Sequence, residues 1–296
     1  MHFHKKTISG HIFDIFNIFI MCLIALITIY PMWYIFINAM NDPVDSIRGG
    51  IYLLPRIWSV DSFIHVLNNN NVFQPLFISI SRTVIGSIAH IAACFIASYC
   101  LSKKDLLMRK PFMMIIIFTM YFSGGIIPFY ILLMWLGLLN NFLVYIIPTM
   151  LNAFNIILIK TYIEQLPESV LEAAEIDGAN DFVIMIQIVA PLCKPIIATV
   201  ALYNAVWQWS SWFDNYLYAG SERSLTTLQF LLVRMLREAD AIRQIAQAGG
   251  SAAVVRMSAE SIRMSVAMII IIPIFLLYPF LQKYFVKGIM LGAVKG

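Results

Sequence analysis

The chain has 296 residues, 60% of them hydrophobic and only 12% charged, with a formal net charge of +4 and a mean hydropathy of +0.82. So much apolar surface cannot be hidden in a water-soluble core, which excludes a soluble globular protein and leaves an integral membrane protein. The small positive balance gives no reason to invoke nucleic acid as a partner.

Crossing a hydrocarbon core of roughly 30 Å takes about 20 apolar residues as a helix. In chain order, runs of that kind lie at 13–38, 75–101, 111–134, 141–163, 195–219 and 262–282. They are continuous rather than alternating, and a spanning segment must satisfy its own backbone, so helices are expected and barrel strands are not. The expected fold class is an all-α membrane protein, six transmembrane helices in one transmembrane domain over 1–296. The first run follows the basic "MHFHKK". It is longer than the roughly 7 to 15 residues of a signal-peptide core and no small-residue cleavage site follows, so it is expected to be a retained span.

Basic residues orient the spans, because Lys and Arg near span ends stay cytoplasmic. With the N-terminus inside, Lys5, Lys6, Lys103, Lys104, Lys110, Lys160, Lys194, Lys283, Lys287 and Lys295, all the lysines of the chain, fall in cytoplasmic segments. Most arginines (Arg48, Arg56, Arg223, Arg234, Arg237, Arg243 and Arg256) fall outside, so lysine supports the rule and arginine weakens it. Both termini are expected inside. Cys22, Cys94, Cys100 and Cys193 lack metal-like spacing and are expected to be packing residues.

This threading leaves external segments at about 40–74 and 220–261 and one sizeable internal loop at about 164–194. The loop gathers Glu164, Glu168, Glu172, Glu175, Asp177 and Asp181 between apolar runs. Glu168, Glu172 and Glu175 are spaced to share one face of a helix that starts after Pro167. Leu171, Ala174, Phe182 and Met185 form an interrupted apolar stripe on other faces. Gly178 suits the point where one short helix stops and a second begins. An acidic patch at an anionic inner leaflet would be repelled, so it is expected to face a protein.

The order Glu172-Ala173-Ala174, three residues, Gly178, nine residues, Ile188, one residue, Ala190-Pro191 resembles the E-A-A loop signature of permease subunits of bacterial ABC importers. The one departure is Ala190, where the pattern has Leu; it removes apolar bulk and spares the acid, the turn and the proline. The chain end "FVKGIMLGAVKG" and the stretch "SGGIIPFYILLMWLGLLNN" are similar to MalG-like carbohydrate permeases, in particular their LplC-like branch. The resemblance covers essentially the whole chain and implies the MetI-like ABC importer permease fold in a bacterial cytoplasmic (inner) membrane. It implies that Glu172, Ala173, Ala174, Asp177, Gly178 and Pro191 couple to an ATPase, and that the tail residues Gly292, Val294, Lys295 and Gly296 reach the ATPase interface. The implied partners are a second, MalF-like permease, an ATPase homodimer, an extracytoplasmic solute-binding protein, membrane lipid and an oligosaccharide. ATP and Mg would sit on the ATPase subunits, with no cofactor and no metal in this chain.

Substrate contacts are less specific. Gly124, Gly125 and Pro128 weaken helical hydrogen bonding in span three, as expected beside a translocation path, although close helix packing explains small residues equally well. Span five carries "WQWSSWFDNYLY", whose aromatic rings suit sugar C–H faces while Asn204, Gln208, Asp214 and Asn215 suit hydroxyls. From Trp212 onward an aromatic belt at the outer interface is the preferred explanation, and Trp207 and Gln208 stay open. By resemblance, Gln247, Gly249, Gly250 and Ser251 would touch the binding protein; a turn between surface helices is the plain alternative.

The other classes lack residues. A secondary transporter needs buried ionisable groups, and the chain offers His90 alone in span two with Asp14 and Arg82 near span ends. Motifs for a membrane hydrolase or metalloenzyme are absent, as is a phosphate-binding loop, so no catalytic residue is expected and energy must come from another subunit. The expected function is the permease subunit of an ATP-driven, binding-protein-dependent oligosaccharide importer. The alternatives are an ion-coupled secondary transporter or an ABC permease for a non-sugar solute. Between 220 and 263, Arg223, Arg234, Arg237, Arg243, Arg256 and Arg263 outnumber Glu222, Glu238, Asp240 and Glu260. That slight excess would tolerate an anionic glycan such as an oligouronide.

Overall fold

The computed structural model describes residues 8–69, 72–247 and 261–275, and the described residues form helices, turns and a single isolated bridge. They cluster into two compact units, 8–69 with 235–247 and 261–271, and 72–234 with 272–275. The tail residues Gly292, Val294, Lys295 and Gly296, together with Gly249, Gly250 and Ser251, lie outside the described residues; Gln247 closes a described helix.

In the first unit, helix α1 (Ile8–Ala39) is apolar all round, and none of its most apolar stretch is buried within the protein. A helix of that kind belongs in lipid or against another membrane helix. The segment that follows is folded, with a short 3-10 turn (Asp45–Arg48) and helix α2 (Asp61–Asn69). Its knot is Asn41, fully buried, whose Oδ1 accepts from the backbone N–H of Arg56 (2.8 Å) and Ile57 (3.1 Å). Asn41 Nδ2 donates to Asp45 Oδ2 (3.1 Å), and Arg56 Nε donates to the same oxygen (2.8 Å). The Arg56 hydrogen bond, helped by Asn41, holds the Asp45 carboxyl below the usual carboxylate range.

The second unit is organised on α3 (Phe73–Ser102), a 30-residue helix long and apolar enough to span singly. The third apolar run is two helices, α4 (Arg109–Tyr121) and α5 (Ile126–Trp135), bent by 117°. The fourth begins as 3-10 turns (Phe142–Tyr145 and Ile147–Thr149) and continues at 49° as α6 (Ala153–Ile163). Next come α7 (Glu168–Ile176), α8 (Asp181–Val183), a π stretch (Ile184–Val189) and α9 (Ala190–Leu192). After an 80° bend follow α10 (Lys194–Ser210) and α11 (Phe213–Tyr218). A 3-10 turn (Arg223–Leu225) leads to α12 (Leu228–Gln247), which passes into the first unit at residue 235, and α13 (Ser261–Phe275) belongs to the first unit up to residue 271.

Among the described residues two helices are thus long and apolar enough to span singly, and up to five spans result if each bent pair counts as one; the sixth expected run, 262–282, is described only to Phe275. Breaks appear where Gly, Pro or Asn interrupts an apolar run, which hydropathy alone does not register. The core joins α3, α6, the π stretch and α10 through Cys94, Ile159, Ile184, Val189, Cys193 and Val200. Cys94 and Cys193 are therefore packing residues as expected, whereas Cys22 and Cys100 are exposed.

Candidate functional site

The acidic loop is a helix pair folded around a glycine. Pro167 is extended (φ −60°, ψ 124°) and sets the start of α7 at Glu168. At the other end Gly178 takes φ +78°, a left-handed conformation that side chains resist, and its N–H and that of Ala179 close onto Glu175 O and Ala174 O, both at 3.0 Å. Asn180 then starts α8, its side chain accepting from Val183 N (2.9 Å). Ala174 and Met185 are buried as the apolar stripe predicts, but Phe182 is 69% exposed.

Four of the six acids face this chain's own cations. Lys103, just past α3, pairs with Asp181 (2.8 Å) and Glu175 (3.4 Å); Lys104 pairs with Glu168; Arg109 and Lys160 pair with Glu164. Burial pushes the Lys103 ammonium down, but hydrogen bonds to Asp181 and Tyr99 outweigh it and hold the group above its ordinary value. The reciprocal bond from Lys103 holds Asp181 below the carboxylate range. Glu172 and Asp177 are exposed and have no ionic partner among the described residues. Beside them Ile176 is 85% exposed, the largest exposure of an aliphatic side chain on the loop. The loop therefore spends four carboxylates on fixing itself to the end of α3 and α4, and presents two carboxylates with Ile176 and Phe182. Ala173, Gly178 and Pro191 are exposed as well.

The second site lies where the run 142–163 bends against the middle of α3 and the far half of α10. A break at membrane depth frees backbone carbonyls, which must find donors. His90 Nδ1 donates to Thr149 O (2.7 Å), and Cys94 Sγ points at Met150 O (3.6 Å). Asn155 Nδ2 lies 2.8 Å from His90 Nε2, so both nitrogens of the buried ring are engaged by protein groups. That is the arrangement of a packing residue, not of a proton relay. Asn152 caps α6, accepting from Asn155 N (3.1 Å).

The bend opens a cavity of about 680 Å³ lined by residues that include His90, Asn152, Asn155, Asn204 and Trp207. Next to it, Gln208 is fully buried in a polar network. Gln208 Nε2 donates to Tyr145 O and Thr149 Oγ1, each at 3.1 Å, and Gln208 Oε1 accepts from Arg82 (3.0 and 3.1 Å). Arg82, also fully buried, pairs with Asp214 (2.5 Å) and lies 4.4 Å over the Tyr145 ring. A Cβ at position 86 would stand 2.6 Å from Gln208 Nε2, so only glycine there admits the network.

Of the four expected path residues, Trp207 is on the cavity wall, Gln208 is in the adjoining network, and Gly124 and Gly125 are at the exposed break between α4 and α5. Trp212, Phe213 and Tyr216 cluster with one another, 5.6–6.5 Å between ring centroids. Sequence reasoning missed Asn152 and Asn155, whose only signal is an Asn before and within the start of an apolar helix. It also missed that Arg82 meets Asp214, because 132 residues separate them.

The chain is 33% identical over 288 residues to the polygalacturonan/rhamnogalacturonan transport system permease protein YtcP of Bacillus subtilis (strain 168), covering 97% of this chain and 100% of that one. It is 32% identical over 297 residues to Protein LplC of the same organism, covering 100% of this chain and 99% of that one. A chain of a bacterial ABC transporter involved in the import of the acidic polysaccharide alginate, solved as a crystal structure, superposes with a TM-score of 0.84 at 31% identity, over 95% of this chain and 99% of that chain. No protein-family model matches. A likeness that runs the full length in both sequence and fold leaves one conclusion: the chain belongs to the family of carbohydrate ABC transport system permeases.

Proposed function

We propose that the chain is one of two permease subunits in an ATP-driven, binding-protein-dependent importer of oligosaccharides, including anionic ones such as oligouronides, in a bacterial cytoplasmic membrane. Its neighbours there are a second, MalF-like permease, an ATPase homodimer that carries ATP and Mg, and an extracytoplasmic binding protein. The observation that carries the reading is the loop 164–194: its acids at 164, 168, 175 and 181 are tied by Lys103, Lys104 and Arg109, while Ile176, Phe182, Glu172 and Asp177 are bare. Exposed apolar side chains ringed by unpaired carboxylates make a docking surface for a protein with an apolar groove and a basic rim. Its ties to α3 would turn movement of the ATPase pair into movement of the spans, alternating access to the path. The anionic class is supported by what two of the similar proteins are named for and by the arginine excess at 220–263.

Replacing Glu172 by Lys and Gly178 by Leu should abolish co-purification of the ATPase from the reconstituted importer. The same assembly should hydrolyse ATP faster when its binding protein is loaded with an oligosaccharide. Normal assembly and transport in the double variant would remove the docking role, and stimulation by peptides or metal chelates instead of glycans would remove the cargo class.

A further inference from the structure

We infer that this subunit itself holds a saccharide subsite, in the cavity between α3, the bend at 150–152 and α10. The inference rests on the importer reading above. The cavity's volume of about 680 Å³ lies within the roughly 300–1,000 Å³ of small-ligand sites. It sits near the middle of α3, since His90 is the eighteenth of that helix's 30 residues.

Its polar groups demand a polar occupant. Asn204 is 7% exposed; its Oδ1 accepts from Ser87 (3.2 Å), and its amide nitrogen, with two N–H donors, has no partner among the described residues. Asn152 likewise uses its oxygen to cap α6 and keeps its amide N–H groups. Lipid tails offer such donors nothing, whereas amide N–H groups that face a cavity call for an acceptor inside it. Hydroxyl oxygens satisfy them. Around these donors stand aromatic walls, Trp207 at 49% and Phe154 at 55% exposure. A sugar ring presents the matching pair of surfaces: an apolar C–H face for an indole and an edge of oxygens for amides.

The lining also decides what is read. It includes no Asp, Glu, Lys or Arg among the described residues, and both ring nitrogens of His90 are engaged by protein groups. An acidic sugar therefore meets no opposing carboxylate, and the N-terminal end of α6 is mildly favourable to it. A neutral sugar meets no ion it must displace. The subsite recognises ring face and oxygen pattern, and accepts both charge classes.

The test uses the complete importer in proteoliposomes with its loaded binding protein, measuring radiolabelled oligosaccharide taken up and the amount retained per complex when ATP hydrolysis is arrested with vanadate. Trp207→Ala and Asn204→Leu should each lower uptake and retention about tenfold. Trp207→Phe, which keeps a ring face, should recover most of both, an outcome that a purely structural role for the indole would not give. Ile88→Ala, at a side chain 64% exposed and outside the cavity lining, is the control and should match the wild type. Should Trp207→Ala and Asn204→Leu retain as much saccharide as the wild type while uptake continues, the subsite is refuted and the importer reading stands. Should the wild-type complex take up no oligosaccharide from any loaded binding protein, both fall.

Discussion

Arg82 is buried at 0% exposure in a helix that has no other Asp, Glu, Lys or Arg, and it survives there because every direction of its guanidinium is answered. Asp214 neutralises it, Gln208 accepts from two of its nitrogens and the face of Tyr145 lies beneath it. Ion pairs of this kind add little net stability over an apolar replacement, but breaking one side strands the other charge. Arg82→Met should therefore destabilise the purified protein by about 3–5 kcal/mol, seen as a lower midpoint of thermal unfolding in detergent. Removing both charges together, Arg82→Met with Asp214→Leu, should recover a large part of the loss. A double variant as weak as the single one would mean that the guanidinium's packing, and not the unpaired carboxylate, governs the site.

At the scale of elements, the chain repeatedly breaks an apolar run and repairs the break with side chains from α3. His90 and Cys94 meet the carbonyls at 149 and 150, and Lys103 and Lys104 hold the loop helices. The loop ties are ionic, so their pH response follows from the two shifts. Asp181 is lowered, so its contribution is present above the ordinary carboxylate value near 3.9 and fades as pH falls through the lowered one. Lys103 is raised, so its contribution is complete below the ordinary lysine value near 10.4 and fades only as pH rises through the higher one. A spin label at Ser169→Cys should report constant mobility from about pH 5 to 9 and greater mobility below about pH 4. The change should be modest, because Asp181 is 76% exposed and water screens the pair. A transition near neutrality would assign the loop's anchoring to some other group.

For the whole molecule, the expected arrangement of inside and outside rests on where lysines and folded polar segments fall. The segment after α1 is knotted around Asn41, and Tyr52 on it is 61% exposed; the loop 164–194 carries acids paired with Lys103, Lys104, Arg109 and Lys160. With the N-terminus inside, a membrane-impermeant maleimide should label Tyr52→Cys in intact cells, and should label Ser169→Cys only after permeabilisation. These two cysteines should be introduced in a background in which the exposed Cys22 and Cys100 are replaced. Labelling of both from the same side would overturn the topology.

What the residues determined on their own was the environment, the helical class, the family and the hinge at Gly178, because each depends on composition or on neighbours within a few positions. Lipid solvation needs only a long apolar run, and a turn with positive φ needs only a glycine in the right place. The tertiary structure decided what depends on distance through the fold. It turned the third and fourth runs into bent pairs, paired most of the loop's acids with this chain's own cations, and joined Arg82 to Asp214. It also gathered Asn152, Asn155, Asn204 and Trp207 onto one cavity. Hydrogen bonds and ion pairs act over a few ångströms in space, and segments far apart in sequence come within that reach only once the helices have packed.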